Sequence, residues 1–224
     1  MNQNRDLVFL FDVDNTLLDN DRVQSDLFRH IAREFGSHAK DRYLTIFEEL
    51  RRQLGYADYL GALERYRLER LHDPRLLHVA NWLVDYPFAK RVYPRALEVV
   101  QRAKRWGQVA ILSDGDAVFQ PRKVARSGLW HAFGGHVLIF VHKEKSLDCV
   151  ERLYPARHYV MIDDKLRILE AIKNTWRDRV TTVFPRQGHY AKDKKNLAAY
   201  RLADINIRRI GDLLDYKRAA VLSA

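Results

Sequence analysis

Residues 7–18 read Leu-Val-Phe-Leu-Phe-Asp-Val-Asp-Asn-Thr-Leu-Leu, and this stretch decides the fold. The apolar run from Leu7 to Phe11 suits a strand covered on both faces, as in a parallel sheet. It ends in two carboxylates two positions apart, Asp12 and Asp14, with the hydroxyl of Thr16 two further on. Two anions held this close repel each other unless a cation or a shared proton intervenes. The pattern therefore reads as a metal-dependent carboxylate site at the carboxyl end of a parallel strand, where open α/β sheets place their ligands. Capping a helix is the plainer role for such residues, but a cap needs one acid and not a spaced pair.

Working outward, short apolar runs predict further strands over 108–113, 136–141, 158–163, 180–184 and 204–207, after a first strand over 7–13. Helical patterns fall between them, over 95–106, 118–127, 146–153 and 166–176. Pro94 suits a helix start, and Gly107 and Gly128 suit helix ends. Strands alternating with helices predict an α/β fold with a doubly wound parallel sheet. One interval breaks the rhythm. Residues 21–92 contain no convincing strand and read as helices over 24–35, 41–54, 56–71 and 74–85, broken at Gly36, Gly55 and His72-Asp73-Pro74. This is too long for an ordinary crossover. The expectation is a core domain, 1–20 plus 93–224, and a helical cap, 21–92, set over Asp12 as a lid that excludes water and selects substrate.

The chain has 224 residues and a net charge of +10. Residues 19–92 hold 13 Lys/Arg against 12 Asp/Glu, and the remainder holds 26 against 17. A basic body attracts phosphorylated metabolites or, non-specifically, nucleic acid, although a solvated basic surface is the plainer reading. No zinc-finger spacing, Gly-rich dinucleotide loop or aromatic RNA-binding signature is present. No apolar run has the length of a membrane span, and the first residues lead straight into the first strand without a signal peptide. Cys149 is the only cysteine, which excludes an internal disulfide and suits a reduced, cytoplasmic protein.

With these segments in place, the chain resembles the haloacid dehalogenase-like hydrolase superfamily over almost its whole length. The family's first motif, Asp-x-Asp-x-Thr after an apolar strand, appears as Asp12-Val13-Asp14-Asn15-Thr16. The second, a Ser or Thr ending the next strand, appears as Ser113, followed by Asp114-Gly115-Asp116. The third, a lysine, is Lys143 or Lys145. Lys143 is favoured because it follows its strand directly. The fourth, an acidic pair ending another strand, appears as Asp163-Asp164.

The resemblance implies a Rossmann-like core and a Mg²⁺-dependent phosphomonoester hydrolase acting on a small phosphorylated metabolite. Asp12 would attack phosphorus and form an aspartyl-phosphate. Asp14 would bind the metal through its backbone carbonyl and use its carboxyl to protonate the leaving oxygen, then deprotonate the attacking water. Ser113, the backbone near Asp114 and Lys143 would hold the phosphoryl group. Asp12, Asp14, Asp164 and, less directly, Asp163 would hold Mg²⁺, a hard cation that needs few carboxylates. Asp114 and Asp116 are also placed to cap the next helix. The family's dehalogenases lack an acid at position 14, since a halide leaves without a proton, so dehalogenation is not expected. A phosphomutase, or an idle binding protein using the basic core surface, are the alternatives.

In capped relatives the cap sets specificity. Arg51, Arg52, Tyr56, Tyr59, Arg65 and Arg67, around the Gly55 break, are the candidates here, although the 64–70 charge pattern suits a solvated helix face. His189 follows the fifth strand and reads as a turn residue near the site. Lys192-Asp193-Lys194-Lys195 reads as solvated surface.

Overall fold

The computed structural model describes residues 6–222. The run from Met1 to Arg5, read above as leading into the first strand, lies outside them. Strands β1 (Leu7–Phe11), β2 (Gln108–Asp114), β3 (Val137–Phe140), β4 (His158–Ile162), β5 (Val180–Pro185) and β6 (Ile205–Ile207) form one sheet in the order β3-β2-β1-β4-β5-β6. Every pairing is parallel, as unbroken apolar strands require.

Between β1 and β2 run α1 (Asn20–Phe35), α2 (Ser37–Leu54), α3 (Tyr59–Leu68) and α4 (Arg75–Val84), then α5 (Ala96–Trp106). Helices α6 (Phe119–Arg126) and α7 (Leu129–Ala132) join β2 to β3, and α8 (Leu147–Leu153) joins β3 to β4. Helix α9 (Leu166–Trp176) joins β4 to β5, α10 (Lys194–Ala199) joins β5 to β6, and α11 (Arg218–Leu222) follows. Residues of β1 alternate between two cores. Phe9 and Phe11 pack with α5, α6 and α7 through Val99, Val124 and Leu129, and the same cluster continues into α1–α4 through Leu27, Phe47 and Val79. Val8 and Leu10 pack on the opposite face with α8 and α9 through Val150, Leu169 and Ile172. The sheet is thus wound on both faces, as the alternation of strands and helices predicts.

Boundaries move where capping chemistry is specific. Helix α1 begins at Asn20, four residues before the expected start, because the Asp19 carboxylate accepts from Arg22 N at 2.9 Å. Helix α3 begins at Tyr59 and not at residue 56, because Asp58 accepts from Gly61 N at 2.7 Å. Strand β1 stops at Phe11, two residues early. Asp12 N still donates to Ile162 O at 2.9 Å, but Val13 O then accepts from Leu17 and Leu18 N as the chain turns.

Candidate active site

Strand β1 lies between β2 and β4, with Phe11 opposite both Ile111 and Ile162. One step further along β1 and β4, and two along β2, brings Asp12, Asp163 and Ser113 to the same edge of the sheet. The parallel register therefore gathers residues from three distant parts of the chain. Asp12 is 3% exposed, and Asp163, Asp164, Ser113 and Lys143 are also buried. Lys143 Nζ lies 2.5 Å from Asp12 Oδ1 and 2.6 Å from Asp163 Oδ2. Its burial opposes the ammonium, but the Asp12 and Asp163 carboxylates outweigh this and hold it well above the ordinary lysine range. Ser113 Oγ donates to Asp12 at 3.4 Å and accepts from Gln120 Nε2 at 3.0 Å.

Turn geometry places Lys143 and Lys145 differently. The chain does not stay extended after β3. His142 takes a left-handed conformation and 143–145 form a 3-10 turn, which buries Lys143 and leaves Lys145 exposed. The Asp114 carboxylate fixes this turn by accepting from Lys143 N at 2.7 Å. Asp116, in contrast, caps the start of α6 through Val118 and Phe119 N.

The carboxylate of Asp14 does not join this cluster. Lys123 Nζ, from α6, contacts its two oxygens at 2.7 and 2.8 Å and Asn20 Oδ1 at 3.0 Å. The expected repulsion between Asp12 and Asp14 is thus relieved by divergence, each acid having its own buried lysine. The carboxylates close enough to share an ion are those of Asp12, Asp163 and Asp164 among the described residues. Lys123 was not foreseen. A lysine one turn after Phe119 and one turn before Ser127 lies on the buried stripe of α6, and that position is the signal that marks it.

The loop after β1 is locked from several sides. Asn15 has φ +59° and accepts from Asn20 and Asp21 N, both at 3.1 Å. Thr16 Oγ1 accepts from Asp164 N at 3.0 Å, tying the first acidic segment to the last. Gln187 Nε2 donates to the carbonyls of Asn15 and Thr16, each at 3.1 Å. Gly188 is needed here, since a Cβ would fall 2.6 Å from the Asn15 side chain, and its φ of +68° disfavours other residues.

Asp12, Asp163 and Asp164 each offer one oxygen within 4.8 Å of the others. Among the described residues, Asp12 Oδ2 and both Asp164 oxygens are buried without a hydrogen-bond partner. Burial pushes the Asp163 and Asp164 carboxyls upward and the Asp12 charge adds to this, while Lys143 opposes it chiefly at Asp163 and Lys165 chiefly at Asp164. Orphaned buried carboxylate oxygens are costly and call for a cation. An all-oxygen donor set fits a hard divalent ion such as Mg²⁺. Asp163 is already engaged by Lys143 and by Lys165 N, the latter at 2.8 Å, so Asp164 is the freer ligand.

Above these groups lies a cavity of about 60 Å³ lined by Asp14, Asp114, Asp164 and Lys165 below and by Phe47, Arg51, Tyr56 and Tyr59 above. Gly55 closes one side, where a Cβ would fall 2.5 Å from the His142 ring. Three of the six expected specificity residues, Arg51, Tyr56 and Tyr59, therefore reach the cavity. Arg52, Arg65 and Arg67 do not line it and bond outside it, to Glu48 O, Gln53 and Glu64. His189 also lines the cavity and meets Asp21 Oδ1 at 2.6 Å, so it does more than form a turn.

Residues 7–174 match the family model described as haloacid dehalogenase-like hydrolase. The chain belongs to this family. A solved putative haloacid dehalogenase-like hydrolase from Burkholderia xenovorans is 59% identical, with TM-score 0.93 over 97% of this chain and 99% of that one. An L-2-haloacid dehalogenase from Xanthobacter autotrophicus shares the fold at 20% identity and TM-score 0.59, over 92% and 96% of the two chains. A putative HAD-hydrolase from Bacillus subtilis, solved with magnesium, does so at 15% identity and TM-score 0.63, over 98% and 100%. No curated protein matches in sequence. Among the described residues, no helix is long and apolar enough to cross a membrane. The chain is thus a haloacid dehalogenase-like hydrolase with a buried aspartate cluster fit for a metal.

Proposed function

We propose that this hydrolase cleaves small phosphomonoesters with the help of Mg²⁺, and that residues 21–92 form the cap over its site. The observation that carries the reading is the second acid. Asp14 lines the same cavity as Asp164 but has its own lysine, which gives the site a proton-handling group separate from the cluster around Asp12. Halide departure uses no such group; an alkoxide leaving group does.

Asp12, Asp163 and Asp164 would hold the ion, with the Asp14 carbonyl beside them. When bound, Mg²⁺ would offset the charge that separates an anionic nucleophile from an anionic ester. Asp12 supplies the oxygen that forms a bond to phosphorus as the ester P–O bond breaks. The Asp14–Lys123 pair, as a unit, gives the leaving oxygen its proton. It then takes a proton from the water that releases phosphate and regenerates Asp12. Lys143 and Ser113 act on the phosphoryl oxygens, and Asp114 holds Lys143 in place through its backbone.

The test is phosphate release from p-nitrophenyl phosphate with Mg²⁺ and with EDTA, run beside chloride release from 2-chloropropionate. Metal-dependent phosphate release is expected. Chloride release without phosphate release would replace this reading with dehalogenation.

A further inference from the structure

The roof of the cavity carries a charge that the proposed chemistry does not use. Of the side chains that residues 47–59 contribute, Phe47, Tyr56, Ala57 and Tyr59 are apolar or aromatic, and Arg51 is the one cation among the described residues. Its guanidinium donates to the Tyr190 hydroxyl and lies 5.7 Å from the centroid of that ring. Lys165 Nζ lies 5.4 Å from the same centroid. Two cations from opposite sides of the cavity thus flank one phenol. Asp164, which lines the same cavity, favours the Lys165 ammonium through its charge but forms no ion pair with it. The carboxylate near Arg51 belongs to Glu48, 3.4 Å away with a side chain 45% exposed, and Lys165 makes no ion pair shorter than 4 Å among the described residues.

We propose that Arg51 and Lys165, spaced by Tyr190, form a subsite for a second anionic group. On this assignment the substrate is the phosphate ester of a hydroxy acid, with its carboxylate at the end away from the phosphoryl group. The proposal rests on the phosphatase reading. A guanidinium beside an ammonium suits a carboxylate, which accepts two parallel hydrogen bonds from arginine and replaces the tyrosine hydroxyl as its partner. A site built around charged donors discriminates strongly against analogues that lack the matching acceptor.

The experiment measures kcat/KM on the full chain with Mg²⁺ for 2-phosphoglycolate and n-propyl phosphate, with p-nitrophenyl phosphate as an independent probe of the reaction. The carboxylated ester is expected to exceed n-propyl phosphate by about tenfold or more. In Arg51→Met the ratio of the first two should collapse by about tenfold, and in Arg51→Lys it should fall part of the way. Because the readout is a ratio, general damage to the variant cancels. Turnover of p-nitrophenyl phosphate with a ratio near one in the natural chain, or with a ratio unmoved by Arg51→Met, would overturn the subsite and leave the phosphatase reading standing. No turnover of any ester, p-nitrophenyl phosphate included, would overturn both the subsite and the reading beneath it.

Discussion

The floor of the cavity and its roof are built by different rules. The floor is a row of strand ends, where Asp12, Ser113, Lys143 and Asp163 are buried and tied to one another and Asp164 faces the cavity beside them. The roof is the end of α2 and the start of α3, where Phe47 stacks on Tyr59 at 4.9 Å and Tyr59 meets Phe119 edge-on at 5.6 Å. Asp12 N and Asp163 N continue the ladder to Ile162 O and Val183 O, and Asp114 and Thr16 side chains hold the backbone of Lys143 and Asp164, so floor residues are fixed through their backbone. Roof residues are held by side-chain packing, which is easier to vary. Chemistry should therefore be lost through the floor and selectivity through the roof.

The largest effect expected is that of Asp12→Asn. Removing the attacking oxygen should lower kcat by about 10³-fold or more. The far-ultraviolet circular dichroism should stay unchanged, because the amide keeps the shape of the side chain. A variant within tenfold of the natural rate would remove Asp12 from the nucleophile role and break the contrast at its strongest point.

Next comes Lys143→Met. It leaves Asp12 and Asp163 facing each other without their shared cation, an uncompensated buried charge that costs about 3–5 kcal/mol. For a chain of this length that corresponds to roughly 10 °C in Tm. Mg²⁺ should restore part of it. In the natural chain, Mg²⁺ at about a hundred times its Kd should add about 2.7 kcal/mol by mass action. In Asp164→Asn that gain should shrink, since the two orphaned oxygens of Asp164 are the freest ligands. A thermal shift with Mg²⁺ equal in both proteins would place the ion elsewhere. On the roof, Tyr59→Phe removes the hydroxyl that accepts from Asn20 Nδ2 at 3.0 Å. Its expected cost is smaller, about 1 kcal/mol, with KM for small esters moving more than kcat.

The same contrast explains what the sequence made legible. Floor residues follow apolar runs directly, so strand ends mark them. Asp12, Ser113, Asp163 and Asp164 could be read because parallel strands end at one edge and carry their next residue into it. Lys143 was preferred over Lys145 on the premise of an extended chain. The structure buries Lys143 through a left-handed His142 and a 3-10 turn instead, a detail that no periodicity encodes. Roof residues are harder. Arg51 and Arg52 are adjacent and chemically identical, yet about 100° apart around α2, and only the docking of that helix turns Arg51 to the cavity. Lys123 escaped because a buried lysine within an amphipathic helix resembles its solvated neighbours until its partner, Asp14, is seen across 109 residues.

The smallest effect, and the one that sharpens the contrast by control, lies in neither region. Asp204 joins α9 to the β5–β6 edge, accepting from Lys173 Nζ, Thr182 N and Thr182 Oγ1, each at 2.8 Å. Burial works against its charge, but these hydrogen bonds, Lys173 first, outweigh burial and hold the carboxyl below its ordinary value of 3.8. A depressed folded-state pKa contributes stability that is present above the unfolded value and is lost as pH falls through the folded one. Asp204→Asn should therefore lower Tm near neutral pH by a few degrees, about 1 kcal/mol for a partly exposed pair. The gap to the natural chain should close as pH falls below about 4. Because Asp204 touches neither floor nor roof, ester turnover and substrate ratios at pH 7 should be unchanged. A shift in either would mean that the sheet transmits strain from its far edge to the strand ends, and the division between a rigid chemical floor and a selective roof would then be too simple.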